Sequence, residues 1–340
     1  MFINDTVELK KEHLEPFYSN TESEDEKMID LHLHLDGSLT PSIVTKLAAL
    51  QGITLPVSGK EELKKLLSVP KECTSLNEYL KCFDLPLSLL QTRNALSLSV
   101  SLLLEHLASL SYEYCELRFA PQLHTRQGLS QKEVVEAALS GLKEYKTKNA
   151  DSSLNAGFIL CMMRGTSNQN ENFETIEVAR EFLGKGVVAL DLAGAEGLFP
   201  TKNYAKEFET AREYGIPFTI HAGEADGAES VRTAILFGAK RIGHGIRARE
   251  DKEVMKLLKE KKIPLELCPS SNLQTKAVDS IKDYPLKEFL DYGIVVMINS
   301  DNLMVSDTNV AKELELIQKE FGLSEDEMKQ IRDNSRNARF

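Results

Sequence analysis

Eight short β-like runs, each followed by a segment with helical spacing, predict a (β/α)8 barrel with extra helices after its first strand. Two further observations point the same way. Gly184, Gly215, Gly238 and Gly293 fall where helix should give way to strand. Histidines and carboxylates gather at the C-terminal ends of the runs, where a barrel of this class carries its chemistry. A doubly wound open sheet also alternates strand with helix, and strand counting alone leaves that alternative open.

The first run, MIDLHLHLDGS (28–38), alternates strictly. Ile29, Leu31, Leu33 and Leu35 are apolar; Asp30, His32, His34 and Asp36 are polar. Such alternation is a strand with two unlike faces. Residues 41–110 read as a helical insertion, because "PSIVTKLAAL" and "NALSLSVSLLLEHLASL" have helical spacing and no β-rich run interrupts them. The other runs are "YEYCELRFAP" (112–121), "NAGFILCMMR" (155–164), "VVALDLAG" (187–194), "PFTIHAGE" (217–224), "KRIGHG" (240–245), "PLELCPSSN" (264–272) and "IVVMINSDN" (294–302). Between them "QKEVVEAALSGLKEYK", "NFETIEVAREFLG", "GAESVRTAILFG" and "DKEVMKLLKEK" read as amphipathic helices.

A barrel takes about 250 residues. The 340 residues of this chain leave room for an acidic N-terminal extension, 1–27, ahead of a single domain over 28–340. With 41 basic and 52 acidic side chains, the net charge of −11 argues against a general nucleic-acid binder. No apolar run approaches the roughly 18 residues a membrane span needs, and the charged first segment does not read as a signal peptide. The five cysteines include no C-x-x-C pair, which suits reduced thiols in a cytoplasmic protein. A monomer or weak homo-oligomer is expected, with a small molecule as its partner.

The strand-end residues carry the chemistry. His32 and His34 share one strand face, about 6.6 Å apart along it, so two imidazoles can lean onto one cation. His221 and Glu224 end the fifth run, His244 the sixth, and Asp301 with Asn302 the eighth. Burying such groups unpaired is costly, so a shared task explains them better than packing. His32, His34, His221 and Asp301 offer three imidazole nitrogens and a carboxylate oxygen, a set that suits one Zn²⁺ with an open position. Fe²⁺, Co²⁺ or Mn²⁺ fits the same ligands. A bound Zn²⁺ lowers the pKa of water and so supplies hydroxide at neutral pH.

The motifs "HLHLDGSL", "SLNEYLKCFD", "YCELRFAP", "DLAGAE", "HAGEADGAES", "RIGHG", "CPSSN" and "NSDN" occur in this order, and with them the chain resembles the adenosine deaminases of the metal-dependent amidohydrolase superfamily, bacterial branch. The resemblance implies hydrolysis of adenosine, and of 2′-deoxyadenosine, to inosine and ammonia. It makes His32, His34, His221 and Asp301 the metal ligands and Glu224 the acid that protonates purine N1. It makes His244 the group that polarises the attacking water. Asp36 and Gly194 become contacts to ribose and purine N3, with His34 also beside the nucleoside. Leu76, Tyr79, Leu80 and Phe83, spaced i, i+3, i+4, i+7, become an apolar helical lid.

The implied reaction has a physical logic. Purine C6 is a poor electrophile until N1 is protonated. Glu224 can supply that proton at neutral pH only if a dry pocket raises its pKa. Hydroxide then attacks C6, Asp301 accepts the water's proton and His244 supports the developing charge.

The chain departs from the family at Asn302, where a second aspartate usually contacts purine N7. N7 is an acceptor, so an aspartate must be protonated to donate to it, whereas an asparagine NH₂ donates without a proton to gain. Ala195 is a second departure, since many relatives are acidic there. Alternative readings are a deaminase of adenine or of a modified or conjugated adenosine, and a catalytically silent nucleoside binder.

Overall fold

A computed structural model describes residues 27–340. The segment read as an acidic extension, 1–27, lies outside the described residues except for Lys27. The eight expected strands are present: β1 (Met28–His34), β2 (Tyr112–Phe119), β3 (Asn155–Met163), β4 (Val187–Ala193), β5 (His221–Ala222), β6 (Ile242–His244), β7 (Leu265–Leu267) and β8 (Val296–Ile298). All pair in parallel, as two four-stranded sheets ordered β1-β2-β3-β4 and β5-β6-β7-β8.

The sheets meet along two seams, each a single parallel bridge. Leu190 pairs with Phe218 between β4 and the entry to β5, and Leu33 pairs with Asp301 between β1 and the exit of β8. Around the second seam, His34 N–H donates to Asp301 O at 2.8 Å and Asp301 N–H to His32 O at 2.8 Å. Side chains extend it: Leu31 N–H donates to Asn299 Oδ1 at 2.9 Å, and Ser300 Oγ donates to Asp30. An open doubly wound sheet has two free edges; here each edge finds the other, which gives the barrel.

β5 to β8 are shorter than the runs that announced them. Pro217 lacks an N–H for a ladder, and Pro269 opens a short helix, Pro269–Gln274, so only Leu265–Leu267 of "PLELCPSSN" pairs as strand. The alternation in β1 also has a fuller meaning. Leu31 and Leu33 are buried, but so are Asp30 and His32. The two faces are therefore barrel lumen and helix layer, not core and solvent.

The insertion folds as Pro41–Gln51, Lys60–Leu67, Leu76–Tyr79, Asp84–Leu89 and Arg93–Ser109, with a 3-10 turn at Leu80–Phe83. Thr40 caps the first by accepting Ile43 N–H, with Pro41 at the first helical position. Gly184, Gly215, Gly238 and Gly293 all have left-handed backbones at helix ends. Two helices, Val310–Phe321 and Glu325–Asn337, follow β8. The main apolar core lies between the ring of strands and its helices, and a separate small cluster joins Cys73, Tyr79, Cys82, Phe83 and Leu87 of the insertion to Val305 after β8. All five cysteines are buried and free. Among the described residues no helix is long and apolar enough to cross a membrane.

Candidate active site

Parallel strands deliver their last residues to one end of the ring, and β1, β5, β6 and the exit of β8 converge there. His32 Nε2 lies 3.1 Å from His221 Nε2, and His34 Nε2 lies 3.3 Å from the same atom. Asp301 Oδ1 is 3.4 Å from His34 Nε2 and 3.6 Å from His32 Nε2. Four donors each about 2.0–2.1 Å from one ion in a tetrahedron sit roughly 3.3 Å apart, so these spacings fit a shared divalent cation.

The outer hydrogen bonds make the same case. His32 Nδ1 donates to Glu266 Oε2 at 2.7 Å, and His221 Nδ1 to Asp191 Oδ2 at 2.9 Å. With the proton on Nδ1, each Nε2 presents a lone pair. Burial pushes His32 and His34 well below the usual imidazole pKa, so both rings are neutral. Lone pairs of two imidazoles then face a carboxylate oxygen in a buried space, which is unfavourable until a cation lies among them.

Beneath His32, His34, His221 and Asp301 the lumen holds a ladder of buried charge. Arg118 bridges Asp191 and Glu266, each at 2.9 Å; Arg241 bridges Glu266 at 2.6 Å and Glu116 at 2.5 Å. Burial alone would raise the Glu266 pKa, but the two guanidiniums outweigh it and hold the carboxyl at about 2. Asp191 is likewise held low, by His221 and Arg118 against its burial. Both carboxylates are thus charged acceptors for the His32 and His221 rings. Asp191, Glu266, Arg118 and Arg241 were not anticipated from sequence. The available signal was a charged residue flanked by apolar ones, as in Leu190-Asp191-Leu192 and Leu265-Glu266-Leu267.

Above this cluster is a cavity of about 200 Å³. Every expected site residue lines it except His32, which lies below: His34, Asp36, Leu76, Tyr79, Leu80, Phe83, Gly194, His221, Glu224, His244, Asp301 and Asn302. The lid quartet is one α-helical turn running into a 3-10 turn, not a continuous α-helix, yet all four side chains reach the cavity. Leu87, Phe119, Ala120, Leu123, Cys161, Met163 and Ala193 complete the wall, and sequence reasoning did not name them.

Glu224 is buried, and burial raises its carboxyl well above the usual range, helped by the nearby Asp301 and Glu196 charges. His244 Nε2 lies 3.6 Å from Glu224 Oε2. Asn272 Nδ2 donates to His244 Nδ1 at 3.0 Å while its Oδ1 accepts from Tyr284 Oη at 3.0 Å. That fixes the His244 proton on Nε2, facing Glu224. His244 and Asp301 both have left-handed backbones, with φ of 60° and 61°, an arrangement that costs energy and concentrates at functional sites. Burial lifts Asp36 to about 7, and its Oδ1 has no hydrogen-bond partner among the described residues.

The chain matches the family model described as Adenosine deaminase over residues 28–340. It is 52% identical over 316 residues to an adenosine deaminase of Haemophilus ducreyi, covering 92% of this chain and 91% of that one. An adenosine deaminase of Clostridium botulinum, strain Okra, is 44% identical over 314 residues, with 92% of each chain covered. Among solved structures, an adenine deaminase from Arthrobacter aurescens superimposes with a TM-score of 0.82 at 29% identity, covering 93% of this chain and 94% of that one.

Proposed function

The chain belongs to the adenosine deaminase family and is an enzyme that hydrolyses adenosine to inosine and ammonia; from that premise we propose that the strand-end centre does so with one Zn²⁺, with Glu224 as the proton donor to purine N1. The reading rests on one observation above all: Nε2 of three imidazoles and a carboxylate oxygen of Asp301 converge at 3.1–3.6 Å beside a buried glutamic acid.

His32, His34, His221 and Asp301 would hold the ion, which when bound would lower the pKa of water towards neutrality. Glu224 stays protonated at neutral pH because its pocket is dry, and it delivers its proton to N1 as C6 takes up the oxygen of water. Asp301 accepts the water's proton. The Nε2–H of His244 supports the negative charge that develops on the attacking oxygen. C6 becomes tetrahedral; the proton taken up by Asp301 passes to the amino nitrogen, the C6–N bond breaks and ammonia leaves, and the C6 hydroxyl becomes the carbonyl of inosine as its proton returns to Glu224.

Asp36 favours a nucleoside, since a ribose hydroxyl would satisfy its unpartnered oxygen, and 2′-deoxyadenosine shares that feature. The adenine deaminase neighbour keeps the free base as a second reading, and rates on adenosine, 2′-deoxyadenosine and adenine separate the two. Residues 28–340 act as one catalytic domain, with the site drawn from one chain in a monomer or weak homo-oligomer. Free cysteines suit a reducing, cytoplasmic setting.

Metal analysis of the purified protein with an absorbance assay of inosine formation tests the ion. Glu224→Gln tests the donor. Expected is a kcat lower by about 10²–10⁴-fold at unchanged metal content. Activity near that of the parent would overturn the assignment.

A further inference from the structure

Glu196 leaves the β4 exit turn two residues after Gly194 and is 1% exposed. Its Oε1 accepts from Gly223 N–H at 2.7 Å and from the Ser230 hydroxyl at 2.5 Å. Its Oε2 accepts from the N–H groups of Glu224 at 3.0 Å, Ala225 at 2.7 Å and Asp226 at 3.1 Å. Four successive backbone N–H groups turned to one point form a nest, a concavity that binds an anion. Such nests commonly hold a ligand's phosphate; this one is filled by a side chain from the neighbouring turn. Glu224 lies in the middle of it. The reversal begins at Gly223, whose φ is +73° and where an added Cβ would meet Val231 Cγ2 at 2.5 Å.

We propose that Glu196 is a positioning residue for the deamination: its carboxylate aims Glu224 at purine N1 and ties that residue to the Gly194 turn, so one rigid unit reads adjacent edges of the purine. The inference rests on Glu224 as the proton donor. A carboxylate is the group the nest needs. Glutamine has one acceptor oxygen, and its NH₂ would face N–H groups, donor against donor. The turn would then open and the Glu224 carboxyl would shift, and a misplacement of about 1 Å costs on the order of 10²-fold in rate.

The test compares Glu196→Gln, Ser230→Ala and Glu224→Gln in the metal-loaded full chain. Two adenosine analogues divide the outcomes: 1-deazaadenosine, which lacks N1, and a 6-hydroxy-1,6-dihydropurine riboside, which carries N1–H beside a tetrahedral C6. For Glu196→Gln we expect metal content unchanged, kcat/KM for adenosine lower by about 10²-fold, and binding of the dihydropurine riboside weakened by a similar factor. The Ki of 1-deazaadenosine should stay within about threefold, because its C–H in place of N1 makes no hydrogen bond to the displaced carboxyl. Ser230→Ala removes one donor and should give the same pattern, smaller; it carries the test if Glu196→Gln does not fold. Equal weakening of both analogues would mark a general loss of structure and overturn the inference. So would a Glu196→Gln enzyme matching the parent while Glu224→Gln is inactive, which would leave the donor assignment standing. Activity in Glu224→Gln would instead remove the donor assignment and this inference with it.

Discussion

Asn302 donates from Nδ2 to Asp301 Oδ1 at 2.7 Å and to Tyr79 Oη at 3.0 Å, so both amide hydrogens are engaged and, contrary to the expectation from sequence, neither is free to donate to purine N7 in this structure. A carboxylate there would put two like charges side by side, and one would have to hold a proton. The amide removes that conflict next to Asp301, the carboxylate proposed to hold the ion. Asn302→Asp should therefore add an ionisation. A carboxyl donates to N7 only while protonated, so kcat/KM for adenosine should fall as pH rises through its pKa. With 7-deazaadenosine that limb should be absent, and the parent should show it with neither substrate. Superimposable pH profiles of variant and parent would contradict this. At this scale the sequence showed which polar residues end strands, because their spacing is local. Glu266, Asp191, Asn272 and Glu196 were hidden because each acts on a residue from another strand, and nothing in its own neighbourhood records the partner.

Helices and turns obey signals carried within a few residues. Gly238 ends Ala228–Phe237 in the left-handed region, with φ of +96°, and an added Cβ would make only ordinary contact with Arg212 Cδ at 3.5 Å. Gly238→Ala should then cost the backbone strain alone, about 1–2 kcal/mol, measured by denaturant unfolding, with kcat/KM unaffected. The lid is a different case. Its i, i+3, i+4, i+7 spacing announced one helical face, whereas the backbone tightens to a 3-10 turn at Leu80–Phe83 before Asp84–Leu89. There the lid packs on Val305, and the Tyr79 hydroxyl lies 2.6 Å from Ser306 Oγ. Tyr79→Phe should release one amide hydrogen of Asn302 towards the substrate. Expected is a severalfold rise in the preference for adenosine over 7-deazaadenosine, read from the ratio of kcat/KM values; an unchanged ratio would show that the hydrogen is not redirected.

Across the whole molecule, the four residues proposed to hold the ion come from both four-stranded sheets. His32 and His34 stand on β1, His221 on β5, and Asp301 beyond β8 pairs with β1 at the closing seam. An ion held there would add a link between the sheets to the two backbone seams and the Arg118–Glu266 and Arg241–Glu116 ion pairs, and it would bind the folded ring but not the unfolded chain. Free metal at about 100 times its Kd should stabilise by about 2.7 kcal/mol. Chelation should accordingly lower Tm and abolish deamination together, and titrating Zn²⁺ back should restore both at one equivalent. A Tm insensitive to chelator, in protein shown to be metal-free afterwards, would exclude this link.

The order of strands and helices, the capping glycines and the set of strand-end donors were determined by the sequence itself, because periodicity, φ preference and donor chemistry act over a few neighbouring residues. Only the tertiary structure decided that the two sheets close on each other and that the polar face of β1 looks into a lumen. It also decided that His32 and His221 are braced by Glu266 and Asp191 over a ladder of arginines. These outcomes depend on which residues meet across separations of 30 to 270 positions, and one chain read along its length carries no record of such meetings until it is folded.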